Sequence, residues 1–171
     1  MAYRYYVGLQ LPPGISATIA GVQQALFDAE LMISPLEPHI TLLPPPAVEN
    51  IDPKELIIKL KTAIDPYLPL ALSLTDVTSS RNSIRITVAS NKLQRMRLEM
   101  SALLPPHRSI TGPFIPHITL AQVKREKRLP SHLLPAYREQ LAALLPSSVI
   151  VPQVTFFYWQ GPRNYTAKII E

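Results

Sequence analysis

The amino-acid sequence predicts an α+β fold in which antiparallel strands alternate with helices. Segments typical of strands and of helices follow one another in the order β-α-β-α-β-β-α-β-α-β-β. Several predicted strands follow each other across short turns, as antiparallel hairpins do. The pentamer Pro-His-Ile-Thr-Leu occurs twice, each time in a strand with helices on either side. These observations favour an α+β fold with internal repetition over a doubly wound parallel sheet.

The first half of the chain contains two predicted strands, each followed by a helix. Residues 3–11 alternate as a strand does and end at two prolines, and residues 15–31 carry apolar side chains at helical spacing. A strand over 38–43 carries the first pentamer and stops at three prolines over 44–46. The pair Asp52-Pro53 is typical of a helix start, and we expect a helix from there to about residue 64.

The second half contains the remaining strands and the second pentamer. Residues 70–77 and 83–89 predict a hairpin, and a helix capped at Asn91 is expected to end near residue 104. A strand over 114–122 carries the second pentamer, and Ser131 is expected to cap a helix to about residue 145. Residues 149–159 and 165–170 predict a closing hairpin. Since no linker interrupts the chain, residues 1–171 are expected to form a single domain.

Composition excludes several classes of protein. The chain has 47% hydrophobic and 17% charged residues, typical of a globular protein, and it has no cysteine, which excludes disulfides and thiolate metal sites. We expect a cytoplasmic monomer. No membrane partner is expected, because no apolar run is long enough to span a bilayer and the N-terminus does not resemble a secretion signal. The net charge of +5 includes a basic run over 124–128. This run is either a solvated loop or an attraction for a phosphate-bearing partner.

The repeated pentamer places a histidine and a threonine on one face of each strand. Residues two apart in a strand share a face, so His39 and Thr41 point one way, as do His117 and Thr119, while the isoleucines and leucines point the other way. A repeated pentamer is expected by chance about once in a hundred such sequences. A purely structural duplication needs only the apolar face and gives no reason to keep the histidine and threonine.

Two simpler interpretations of the histidines are less favourable than a shared site. Both could be ordinary surface residues, and two histidines without acidic or cysteine partners at ligand spacing make a poor zinc site. Two imidazoles suit phosphoryl chemistry without a metal, because one can accept a proton near neutral pH while the other donates one. The threonine hydroxyls can stabilise negative charge on the non-bridging oxygens.

The sequence resembles the 2H phosphoesterase superfamily, and most closely its 2′-5′ RNA ligase / cyclic phosphodiesterase branch. The signature of that superfamily is a pair of His-x-Thr/Ser-x motifs, which stand here as His-Ile-Thr-Leu beginning at His39 and at His117. Tyr-Tyr-Val-Gly-Leu-Gln-Leu-Pro at 5–12 resembles the family's opening strand, and residues 155–165 resemble its closing aromatic hairpin.

The resemblance implies two pseudo-symmetric lobes, each with an antiparallel sheet and flanking helices, and a cleft in which the motif strands face each other. It implies hydrolysis of 2′,3′-cyclic phosphates on RNA ends or nucleotides, or action on 2′-5′ linkages, without metal or other cofactor. His39 carries over as the acid and His117 as the base on water, with Thr41 and Thr119 binding the phosphate. The chain departs from the family where many members place an arginine beyond the second motif, because it has Gln122 there.

Further candidate substrate contacts are aromatic or basic. Tyr158 and Trp159 either stack on a base or simply pack in a sheet, and Arg85 faces either the cleft or water. Lys124 and Arg125 follow the second motif closely. Two other functions remain open: a non-catalytic RNA- or nucleotide-binding module on the same fold, and a phosphodiesterase for a metabolite other than RNA.

Overall fold

The α+β class is confirmed by a computed structural model, which describes residues 5–28, 37–48, 51–80, 82–123, 133–161 and 164–169. The strands are β1 (Tyr5–Gln10), β2 (His39–Leu43), β3 (Leu70–Ser79), β4 (Ser83–Ala89), β5 (His117–Gln122), β6 (Ser148–Val151), β7 (Thr155–Gly161) and β8 (Asn164–Ile169). The helices are α1 (Pro13–Asp28), α2 (Pro45–Val48), α3 (Pro53–Ile64), α4 (Asn91–Ala102), α5 (Arg108–Thr111) and α6 (Leu133–Leu144), and a 3₁₀ turn covers Asp65–Tyr67.

The described strands form one antiparallel sheet in the order β6-β3-β4-β5-β2-β1-β7-β8. Each half of this order contains one motif strand, and the halves meet where β5 pairs with β2 through Ile118 and Ile40. This continuity corrects the expectation of two separate sheets. The motif strands are neighbours in one sheet and do not face each other across a gap between two sheets.

The sheet must curl, because only residues 152–154 connect β6 with β7. In a flat sheet, β6 and β7 would lie six strand spacings, or about 29 Å, apart. The short connection can span only about 14 Å. The curl brings the outer strand of one half towards the other half, with β2 and β5 at the centre of the curved sheet.

The strand expected over 149–159 is in fact two strands. β6 pairs with β3, whereas β7 pairs with β1 and β8. Pro152 lies in the break and has no N–H group to continue the ladder. The predicted closing hairpin is therefore formed by β7 and β8 alone.

Local signals explain several helix boundaries. Asp52 caps α3 as expected, because its carboxylate accepts from the backbone N–H groups of Lys54 and Glu55. Helix α4 is capped by Ser90, one residue before the cap predicted at Asn91. The short helices α2 and α5 were not predicted. Helix α2 begins within the proline run that was expected only to stop a strand, since proline is well tolerated in the first turn of a helix.

One face of the sheet carries the core. The helices α1, α3 and α4 pack on it through buried apolar side chains, which include Ile19, Leu26, Leu56, Leu60, Leu93, Met96 and Met100. The isoleucines of both pentamers belong to this core. Their burial fixes the register of β2 and β5, because a slip by one residue would turn the whole apolar set to the other face.

Candidate active site

The two motif strands lie side by side at the centre of the sheet. Ile40 on β2 pairs with Ile118 on β5, and both side chains are fully buried. Because successive side chains of a strand alternate between its faces, the histidine and threonine that flank each isoleucine point to the opposite face. All four polar side chains of the repeat therefore share one face of the sheet, which we call the motif face.

On the motif face, each histidine lies beside the threonine of the other copy. The antiparallel register sets His39 across from Thr119 and His117 across from Thr41, where opposed Cβ atoms are about 4.5–5.5 Å apart. The two histidines are diagonal neighbours, which corresponds to about 7–8 Å. All four side chains are partly exposed. Two imidazoles and two hydroxyls thus converge on one accessible patch.

Both imidazoles are oriented in the same way by a backbone carbonyl. Nδ1 of His39 donates to the carbonyl oxygen of Glu37 at 2.7 Å, and Nδ1 of His117 donates to that of Ile115 at 2.8 Å. A carbonyl oxygen only accepts, so this bond assigns the proton to Nδ1 and leaves Nε2 as the working nitrogen of each ring. Nε2 of His39 lies 3.2 Å from Oγ1 of Thr41.

His39 stands against an aromatic wall formed by Tyr6 and Phe157. These two rings are stacked with centroids 4.8 Å apart, and the imidazole lies 4.8 Å from the first and 5.0 Å from the second. Burial lowers the pKa of His39, the hydrogen bond to the Glu37 carbonyl partly opposes this, and the nearby charge of His117 lowers the pKa further. A lowered pKa makes the protonated ring of His39 a stronger acid than an ordinary imidazolium.

His117 has a more polar neighbourhood. Thr87 on β4 pairs with His117, and Arg85 on the same strand pairs with Thr119, so both β4 side chains share the motif face. Burial lowers the pKa of His117, the hydrogen bond to the Ile115 carbonyl opposes this, and the positive charge of Arg85 lowers it again. Arg85 is thus close enough to influence the second imidazole.

The repeat extends to the strands that flank the motifs. Thr41 pairs with Gly8 on β1, and Thr119 pairs with Arg85 on β4. In both places a β-bulge follows, where the leucine after the threonine is left out of the pairing. Bulges next to a site redirect the strand and are often part of its design. We call each motif strand with its flanking strand a half-site. The backbones of the two half-sites therefore match beyond the five repeated residues.

Two glutamines that the sequence did not single out support the motif strands. Gln23 on α1 is buried, and its Nε2 donates to the backbone carbonyl oxygen of Thr119 at 2.8 Å. Gln10 on β1 donates to Oε1 of Glu37 at 2.5 Å, beside the carbonyl that orients His39. Strand alternation in the sequence could have placed Gln10 on the same face of β1 as Gly8. No sequence signal could have paired Gln23 with Thr119, which is far away in the chain.

The other predicted contacts have different outcomes. Arg85 lies on the motif face, next to the second motif. Tyr158 and Trp159 lie on β7, and their side chains fall outside the described part of the structure. Lys124 and Arg125 are also outside the described residues.

The described residues contain neither a metal-binding cluster nor a membrane-spanning helix. Within them, no three His, Cys, Asp or Glu side chains come together in a group able to hold a metal ion. Among the same residues, no helix has the length and apolar character needed to cross a membrane.

The curled antiparallel sheet pairs two His-x-Thr strands at its centre, and the resemblance in sequence assigns such a protein to the 2H phosphoesterase-like class. The family model of the 2′-5′ RNA ligase superfamily matches residues 11–163, and the chain belongs to this superfamily. A search of curated proteins found no match.

Solved structures share the fold at low sequence identity. The E. coli LigT structure complexed with 3′-AMP is 16% identical with a TM-score of 0.64, and the match covers 100% of this chain and 96% of LigT. TT0787 of Thermus thermophilus is also 16% identical with a TM-score of 0.63, and the match covers 98% of this chain and 95% of TT0787. At these identities the likeness establishes the fold alone.

Proposed function

We propose that this protein is a metal-independent phosphoesterase that hydrolyses 2′,3′-cyclic phosphates on RNA ends or nucleotides. The observation that carries the proposal is the convergence of two imidazoles and two threonine hydroxyls on one face of adjacent strands, with Nδ1 of each imidazole bound to a backbone carbonyl. These groups supply a base, an acid and two phosphate donors for the displacement of an oxygen at phosphorus.

In the proposed reaction, Nε2 of His117 takes a proton from water while the water oxygen attacks phosphorus. The bond from phosphorus to one ribose oxygen breaks on the opposite side, and the protonated Nε2 of His39 gives that oxygen its proton. One P–O bond forms and one breaks, which leaves a phosphate monoester and a free ribose hydroxyl. Arg85 disfavours the charged form of His117, which suits the base, and reversal of the reaction exchanges the two roles.

Thr41 and Thr119 are proposed to donate hydrogen bonds to the non-bridging oxygens. Each threonine lies across from the histidine of the other motif, so acid, base and donors alternate around the phosphate. Negative charge on those oxygens increases in the transition state, where such donors have their largest effect. Loss of one donor of this kind typically costs about 10²–10³ in kcat.

We propose a nucleotide or an RNA end as the substrate, because proteins with a related fold have been solved with nucleotide or phosphate ligands. E. coli LigT has been solved in complex with 3′-AMP, with phosphate and with ATP, which are nucleotide or phosphate ligands. We extend this ligand class to the present chain. Its formal net charge of +5 also favours phosphate-bearing partners. Action on 2′-5′ RNA linkages is a second candidate on the same site.

Hydrolysis of a 2′,3′-cyclic nucleotide in EDTA tests the proposal. The wild type should turn over, and His39→Ala and His117→Ala should each lower kcat by about 10²–10⁴. His107→Asn is the matched control, because His107 caps α5 through Nδ1 and asparagine is also a good cap.

Activity that needs a divalent metal, or that survives in both alanine variants, would contradict the proposal. Salt-sensitive RNA binding without turnover would favour the non-catalytic module instead. Turnover of cyclic phosphates that lack a base, with none of cyclic nucleotides, would point to a different metabolite.

A further inference from the structure

The two half-sites have matched backbones but opposite side chains at one position. Gly8 pairs with Thr41, and Arg85 takes the equivalent place opposite Thr119, and each lies directly next to the bulge. The repeat therefore breaks its symmetry with a hydrogen atom on one side and a guanidinium on the other. This difference gives the site a direction that the repeated pentamer lacks.

The half-site around His39 is closed. A Cβ atom at Gly8 would lie 2.7 Å from the carbonyl oxygen of Ile40 and 3.2 Å from Cε2 of Phe157, so no larger side chain fits there. The aromatic wall of Tyr6 and Phe157 is itself buried. At this position β1 therefore contributes no charged side chain to the phosphate.

The half-site around His117 carries a fixed cation. Nε of Arg85 donates to Oγ of Ser83 at 2.8 Å, and this oxygen also bonds Oγ of Ser80 at 2.7 Å. Because Ser83 is buried, its hydrogen bond holds the Nε end of the guanidinium in place. No carboxylate among the described residues forms an ion pair with Arg85, and its two terminal amino groups have no hydrogen-bond partner in that part of the chain.

We propose that Arg85 binds the substrate phosphate beside Thr119 and stabilises the negative charge of the transition state. A guanidinium has several N–H donors in a fixed fork that suits phosphate oxygens. The inference rests on the proposed function and gives it a direction: the charged oxygens of the phosphate lie towards β4, and the leaving ribose oxygen lies towards His39. Ser83 is a positioning residue in this arrangement.

The neighbouring charges support a measurable effect on pH dependence. The charged form of His117 is coupled electrostatically to His39 on β2 and to Arg85 on β4. Asp76 on β3, farther along the same face, is already paired with Arg138 at 2.8 Å. Removing the charge of Arg85 should therefore raise the pKa of His117, a change that a purely structural role would not produce.

Steady-state kinetics of Arg85→Gln, Arg85→Lys and Ser83→Ala provide the test. Arg85→Gln should lower kcat/KM by about 100-fold and shift the acidic limb of the kcat/KM profile to higher pH. Arg85→Lys keeps the charge, so it should lose less and leave that limb in place. Ser83→Ala should lower kcat/KM less than Arg85→Gln, with the limb unmoved. Arg108→Gln, at an exposed position on α5, is the control and should match the wild type.

Gln122 offers a rescue. It pairs with Ser83 and shares the motif face, one diagonal step from Arg85. Gln122→Arg in the Arg85→Gln background should recover part of the lost kcat/KM. An Arg85→Gln variant that folds normally and keeps both wild-type kcat/KM and the wild-type pH limb would overturn the proposal.

Binding of inorganic phosphate, measured by calorimetry, separates this inference from the proposed function. Weaker phosphate binding by Arg85→Gln supports the role of Arg85 even if no cyclic phosphate is hydrolysed. Unchanged phosphate affinity refutes it even if hydrolysis is confirmed.

Discussion

Replacement of Gly8 by alanine tests how closely β1 must approach β2 beside the first motif. The added methyl group would lie 2.7 Å from the carbonyl oxygen of Ile40, a backbone atom at the centre of the sheet that no side-chain rotation can move. The strands must separate, and overpacking of this kind typically costs 1–3 kcal/mol, so we expect a loss of about 2 kcal/mol. For 171 residues this corresponds to a Tm lowered by about 4–8 °C. The second close contact, with Phe157, should also displace the wall of His39 and reduce kcat/KM.

Thermal unfolding by circular dichroism measures the effect, and Gly21→Ala is the matched control. Gly21 is exposed within α1, and a Cβ atom there would have no neighbour within 4 Å. Alanine at this position should raise stability by about 0.5–1 kcal/mol through helix propensity. The same chemical change is thus expected to have opposite signs at two sites. A Gly8→Ala variant as stable and as active as the wild type would refute the close approach.

Three further predictions concern pH, the support of β5 and a remote cap. The pKa values of His39 and His117 are both lowered from 6.5, and the two limbs of the kcat/KM profile report this coupled pair in the free enzyme. Both limbs should therefore lie below pH 6.5, and limbs above pH 7 would contradict this. Gln23→Leu leaves the carbonyl of Thr119 without the amide donor of a buried side chain, so urea unfolding should show a loss of about 1–3 kcal/mol together with lower kcat. Gln23→Glu also lacks the amide donor and should not restore either. Asp52→Ala removes the cap of α3 and should cost about 1 kcal/mol in the same unfolding assay while kcat remains unchanged.

Local patterns were sufficient wherever the chemistry is decided within a few residues. The cap at Asp52 followed from the preference for a short acceptor before Pro53. The shared face of His39 and Thr41 followed from strand alternation, and the same holds for the second motif. The break at Pro152 escaped prediction because the apolar run continues on both sides of it, and only the different partners of β6 and β7 reveal two strands.

The sequence by itself determined that two imidazoles and two hydroxyls lie on the polar faces of two strands with apolar backs. It did not determine that these strands are neighbours, because pairing between distant segments depends on how the whole sheet closes. The tertiary structure also determines that Arg85 faces the second motif. It explains why a glycine, Gly8, occupies the equivalent place opposite Thr41. Both answers depend on contacts between residues far apart in the chain, such as Gly8 with Phe157, and no local pattern encodes such contacts.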